Sequence, residues 1–288
     1  MTLRALLALV CVCPVAYCQH TQKPITHVEA CKRFSSAVVQ VDTDVSHGTG
    51  FIVDPDGWIL TAFHVVVDMQ RLIKYGSITV TLNNDTEKIP AEIVSPIDDL
   101  ARARDFAVLK ITKAKLPYLE MGNEDDVAIG SAISVIGLPL AAMFPPSVPL
   151  TRIPQFCLAG TVAAQTSFPL PNRNHLDTIY FQGVSIKGIS GAPIISLDTG
   201  KVIGIADTRM TGINRGLDEA RTGLTEGTAG GNGFIKMGDV NVGKTIASLI
   251  DILDTQLANG LGTGTGAADA EYAVKKAQRD YAKHHPNK

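Results

Sequence analysis

Neither sign of charge dominates this chain. Its 26 Lys and Arg residues face 28 Asp and Glu, for a formal net charge of −2. Such balance provides no electrostatic footprint for nucleic acid or for an anionic membrane surface. Beyond the N-terminus no apolar run reaches the about 20 residues that a bilayer span needs, so no integral membrane span is expected once a leader is removed. No Cys/His spacing matches a zinc site; neither metal nor cofactor is expected, and His284 and His285 read as solvated. Helical periodicity is weak until residues 242–257, where Ile246, Leu249, Ile250 and Leu253 recur on one face. What is present suffices for a core: 45% of residues are hydrophobic and 19% charged, which excludes disorder throughout.

The leader is short and distinctive. Arg4 precedes the apolar run Ala5–Tyr17, and small residues at Ala16 and Cys18 permit cleavage before Gln19. Residues 1–18 are therefore read as a signal peptide and the protein as exported, to a periplasm or outside the cell. Lipoprotein anchoring at Cys18 is an alternative that the bulky Tyr17 disfavours. Cys31 and Cys157 remain after cleavage. They either pair, as an oxidising compartment allows, or stay as buried thiols.

After an N-terminal segment, 19–35, the chain reads as many short strands. Ala37–Val41, Gly50–Val53, Trp58–Thr61, Ile78–Leu82, Ala91–Val94 and Phe106–Ile111 come first. Ala132–Ile136, Thr161–Ala164, Thr178–Gln182, Pro193–Ser196 and Val202–Ile205 follow. That spacing indicates a sandwich or barrel. Gly260–Gly266 (GLGTGTG) is read as a flexible linker, and 267–285 as a short amphipathic helix or a disordered tail. Asn84-Asp-Thr86 fits a glycosylation sequon of a eukaryotic secretory route.

Three segments carry chemistry. Gly48-Thr-Gly50 opens a strand–turn–strand that ends in Thr61-Ala-Phe-His64. Asp105 stands immediately before the apolar strand Phe106–Ile111. Gly188-Ile-Ser-Gly191 brackets Ser190 with glycines ahead of a buried strand. A serine hydroxyl needs an adjacent base, and imidazole suits that task near neutrality. The imidazole needs a buried carboxylate to hold its tautomer. A developing oxyanion needs backbone N–H donors at a tight turn, for which the Gly188 and Ser190 N–H groups are the natural pair. Asp54, Asp56 and Asp68 read as turn or surface residues, and His47, His175 and Asp207 as solvent-facing. Ser185 lacks a glycine bracket.

The order His64, Asp105, Ser190 resembles the chymotrypsin-like serine peptidases and is most similar to the HtrA/Deg type. The resemblance rests on Gly48–His64, on Asp105–Ile111, on Gly188–Gly191 and on Lys201-Val-Ile-Gly-Ile205. It covers about residues 36–208. It implies an all-β fold, a chymotrypsin-like double six-stranded β-barrel with a C-terminal helix. The peptidase domain would span 36–257, with barrel 1 at about 36–120, barrel 2 at about 121–240 and a linker and tail at 258–288. It also implies a serine endopeptidase acting on polypeptide substrates through an acyl-enzyme. Val184, six residues before Ser190, would sit at the base of the primary pocket and favour small or medium apolar residues. Ile189 and Ala192 stand where the family usually has Asn and Gly, and no PDZ-sized domain follows the last barrel strand. Two other readings stay open. One is a catalytically silent barrel that binds peptides or proteins, which Ile189 and Ala192 favour. The other is a narrow-specificity glutamyl-type endopeptidase, which would need a more polar pocket than Val184 suggests.

Overall fold

The computed structural model describes residues 23–83, 85–139, 154–171, 174–183, 188–207, 236–237, 240–241, 246 and 261–285. The expected leader, Val184, Ser185 and nearly all of 242–257 lie outside the described residues.

Among the described residues helix α1 (His27–Phe34) comes first, closed by a capping box in which the Thr26 and Glu29 side chains serve each other's backbone N–H. Nine strands follow: β1 (Val38–Asp42), β2 (His47–Asp54), β3 (Trp58–Ala62), β4 (Val67–Asp68), β5 (Ile73–Lys74), β6 (Thr79–Leu82), β7 (Lys88–Pro90), β8 (Glu92–Ile93) and β9 (Phe106–Lys110). A one-turn helix, α2 (Phe63–Val66), leaves β3, and α3 (Asp99–Arg104) precedes β9. Seven of the strands form one antiparallel sheet in the order β7-β6-β1-β2-β3-β9-β8, and β4 pairs with β5 beside it. The sixth strand expected of this barrel is split. Pro90, which has no N–H to donate, ends β7, and Ala91 alone separates it from β8 on the opposite edge. The chain itself thus bridges the two edges of a nearly closed barrel.

The second unit contains β10 (Ala132–Gly137), β11 (Phe156–Pro169), β12 (His175–Gln182), β13 (Pro193–Ser196), β14 (Val202–Asp207) and a late strand, β17 (Leu261–Gly266). These six close into a barrel in the order β10-β11-β12-β17-β14-β13. A small ribbon, β15 (Lys236–Met237) with β16 (Val240–Asn241), lies between β14 and β17 in the chain.

β17 corrects the linker expectation. The GLGTGTG stretch pairs with β12 on one side and β14 on the other. Its glycines recur every second residue, the strand period. A Cβ on Gly262 would lie 2.2 Å from the Phe181 ring, and one on Gly264 would lie 2.4 Å from Ile194. The large side chains of β12 and β13 therefore fill the barrel, and the closing strand must be bare on that face. Barrel 2 thus runs to residue 266, not to about 240, and the peptidase fold extends past 257.

The tail forms the expected C-terminal helix, docked on the barrels. Helix Ala267–His284 buries Ala270, Val274 and Ala277, and Tyr281 meets Trp58 edge-to-face at 5.6 Å. Its first turn is capped by Glu124, whose Oε2 accepts the Ala268 N–H at 3.0 Å. Burial pushes the Glu124 carboxyl above its ordinary range, against the pull of those N–H donors. Each barrel has its own interior cluster, with Val39, Val41, Ile52 and Ile59 in the first and Ile133, Val135, Ile179 and Ile194 in the second. A third cluster joins Leu60 and Val108 of barrel 1 to Ile136 and Ile205 of barrel 2 and to the C-terminal helix. Cys31 and Cys157 are joined in a disulfide that ties α1 to β11 across 126 residues of sequence. Among the described residues no helix is long and apolar enough to cross a membrane.

Candidate active site

β3 ends at Ala62, and α2 turns His64 out of the sheet at the edge of the barrel. Asp105 comes to it from the end of α3. It caps that helix in the left-handed region, at φ 52°, a conformation Asp tolerates better than most residues. The cap aims a buried carboxylate at both the backbone and the ring of His64. Asp105 Oδ1 accepts the His64 N–H at 3.0 Å, and Oδ2 lies 2.8 Å from His64 Nδ1. The Asp105 carbonyl accepts the Phe63 N–H at 3.1 Å. With Nδ1–H directed at the carboxylate, proton exchange would fall to Nε2. The loop behind is braced from barrel 2: the Thr265 hydroxyl donates to Arg104 O at 2.6 Å, and Arg104 pairs with Asp269 at 2.9 Å. Burial raises the Asp269 carboxyl, which the Arg104 charge partly offsets.

Ser190 belongs to barrel 2 and is 5% exposed, in a loop between glycines at φ +98° (Gly188) and +86° (Gly191). At Gly191 a Cβ would come within 2.1 Å of Thr49 O and 2.7 Å of Ala62 N. The loop therefore packs directly on the strand end that carries His64, and only glycine fits there. Thr49 holds it. Its N–H donates to Ser190 O at 2.9 Å, and its hydroxyl donates to Gly188 O at 2.9 Å and accepts Leu138 N–H at 3.0 Å. Ile189 and Ala192 are both buried in the barrel 2 core.

Of the expected site residues, the structure thus brings His64 and Asp105 together and seats Gly188 and Ser190 across the barrel seam, while Val184 lies outside the described residues. Two residues escape the sequence reading. Thr49 carries no signal beyond its place between two glycines. Asp207, read as solvent-facing, is half-buried and groups with His64 and Asp105, each offering an atom within 4.8 Å of the others. A second metal-competent grouping, His27 with Cys31 and Cys157, has its two sulfurs in the disulfide. His47 does stay half-exposed, paired with Asp42 at 2.7 Å.

The model of the trypsin-like peptidase domain family matches residues 48–205, from the strand before His64 to the strand after Ser190. This chain belongs to that family. It is 34% identical over 165 residues to a probable periplasmic serine endoprotease, DegP-like, of Chlamydia pneumoniae, covering 57% of this chain and 29% of that protein. It is 30% identical over 171 residues to the mitochondrial serine protease HTRA2 of Bos taurus, covering 59% and 33% of the two. The solved structure of the HtrA-type protease AlgW with tripeptide superposes with a TM-score of 0.50 at 25% identity, covering 63% of this chain and 54% of that one. The trypsin-like domain here thus matches about a third of the length of those curated relatives. Both the likeness and the two barrels agree with the chymotrypsin-like fold.

Proposed function

We propose that this trypsin-like domain is a serine endopeptidase in which Ser190 attacks a peptide carbonyl, His64 takes and returns the proton, and Asp105 orients His64. The observation that carries the reading is the double grip of Asp105 on His64, ring and backbone at 2.8 and 3.0 Å, beside the glycine-bracketed Ser190 loop. The Gly188 and Ser190 N–H groups would receive the oxyanion. Attack forms the Ser190 Oγ–acyl bond and expels the amine, protonated by His64; water, deprotonated by His64, then hydrolyses the acyl-enzyme. The substrates are polypeptides, cut after small or medium apolar residues if Val184 floors the pocket. Periplasmic relatives and the leader together support export, with residues 1–18 as the signal peptide.

The silent-barrel alternative drew its support from Ile189 and Ala192. Both side chains face the barrel 2 core, so their apolar character serves packing and leaves the loop its glycine-defined shape.

Labelling residues 19–288 with a fluorophosphonate, beside Ser190→Ala, tests the reading. Labelling of the wild type alone is expected, with cleavage of a peptide panel preferring apolar residues over Lys or Arg. Absence of labelling in both proteins would refute the peptidase reading; a Lys or Arg preference would refute the assignment of Val184.

A further inference from the structure

β14 brings a third acid–base group to the site. Its last residue, Asp207, follows Ala206, which accepts the Gly191 N–H and donates to Ala192 O, both at 2.8 Å. The strand end is thereby locked to the Ser190 loop, and the Asp207 carbonyl accepts the Thr263 hydroxyl at 2.8 Å. The Asp207 carboxyl stands within 4.8 Å of donor atoms of both His64 and Asp105. Both aspartates line a cavity of about 170 Å³ between α3, β12, β14 and β17. Among the described residues, the charged or titratable groups lining it besides the two aspartates are Arg102 on α3 and Tyr180 on β12, with Thr178, Thr263 and Thr265 as neutral polar neighbours. The Arg102 guanidinium is committed to Asp99 at 2.6 Å.

One imidazole therefore sits beside two carboxyl groups. The second is not needed to hold the tautomer, because Asp105 Oδ2 already faces Nδ1. When ionised, it adds negative charge at short range, in a partly buried site where screening by water is reduced. A nearby anion favours imidazolium over neutral imidazole.

We propose that Asp207 is a positioning residue for the reaction, a second carboxylate that acts through His64 and sets the pH at which the enzyme becomes active. This rests on the peptidase reading above. The sign follows from the role of His64: the neutral ring is the base, so an added anion delays its appearance and moves the acid limb of activity to higher pH. The same charge steadies the imidazolium formed when Ser190 gives up its proton.

The test is the pH profile of kcat/KM for wild type, Asp207→Asn and Asp207→Glu. With Asn the acid limb is expected to move down by about 0.5–1 pH unit, while Glu, which keeps the charge, stays closer to the wild type. An Asn profile that superimposes on the wild type would overturn the proposal. Asp207→Ser serves should the Asn protein fail to fold. The His64 ring titration is also followed by NMR in Ser190→Ala, with and without Asp207→Asn. That measurement needs no turnover. A downward shift there supports the proposal even if no peptidase activity is found, and no shift overturns it even if activity is high.

Discussion

In barrel 1 all the sheet strands come from residues 38–110, whereas barrel 2 closes only when residues 261–266 insert between β12 and β14. The first barrel is assembled from near neighbours and holds a finished His64–Asp105 pair. The second is completed from far along the chain and holds the Ser190 loop, whose carbonyls are anchored on Thr49 of the first. On the proposed mechanism, pre-organisation of the base would thus be local, while placement of the nucleophile would depend on the seam between barrels. The late strand reaches back across that seam, because Thr265 bonds Arg104, the residue before Asp105.

Three substitutions sharpen this contrast. Asp105→Asn should leave both barrels folded and lower kcat by about 10⁴-fold, as expected when an imidazole loses its tautomer-fixing carboxylate. Unchanged thermal unfolding beside the lost turnover is the expected pair of results, and near-normal turnover would refute the role of Asp105. Gly262→Val places a branched side chain against the buried Phe181 ring. A loss of about 2–3 kcal/mol is expected from overpacking, read as a lower urea midpoint with activity falling alongside. If stability held, β17 would not be the closing strand. Thr49→Val keeps the shape but leaves Gly188 O and Leu138 N–H without the hydroxyl that serves both. Here about 1–2 kcal/mol of stability should be lost. Fluorophosphonate labelling should slow while the His64 titration by NMR stays put, since the change touches the seam and not the His64–Asp105 pair. A shifted titration with normal labelling would reverse the assignment.

Much of this architecture is legible along the chain. The runs at Trp58–Thr61, Phe106–Ile111, Pro193–Ser196 and Val202–Ile205 fall on β3, β9, β13 and β14 within a residue or two. They are rich in β-branched residues and bounded by turn formers, so local preference and burial agree. The Gly-rich segment misleads because glycine composition signals flexibility, while its alternation with threonine signals a strand. The deciding fact, that Phe181 and Ile194 fill the space a Cβ would take, is contributed by residues far away in sequence. Asp207 misleads for a related reason. A carboxylate at the end of a strand is usually solvated, and nothing adjacent to it reveals His64 and Asp105 across the seam.

The sequence by itself determined the chemistry available: one histidine after a strand, one aspartate before another and one serine between glycines, in an order that admits few folds. It also determined the strand periods, because alternating apolar side chains dictate which face turns inward. Only the tertiary structure decided which glycines close a barrel, that Cys31 pairs with Cys157, that Thr49 holds the Ser190 loop and that a second carboxylate joins the histidine. Each of these is a contact between residues remote in sequence, set by side-chain volume and hydrogen-bond geometry once both barrels have closed.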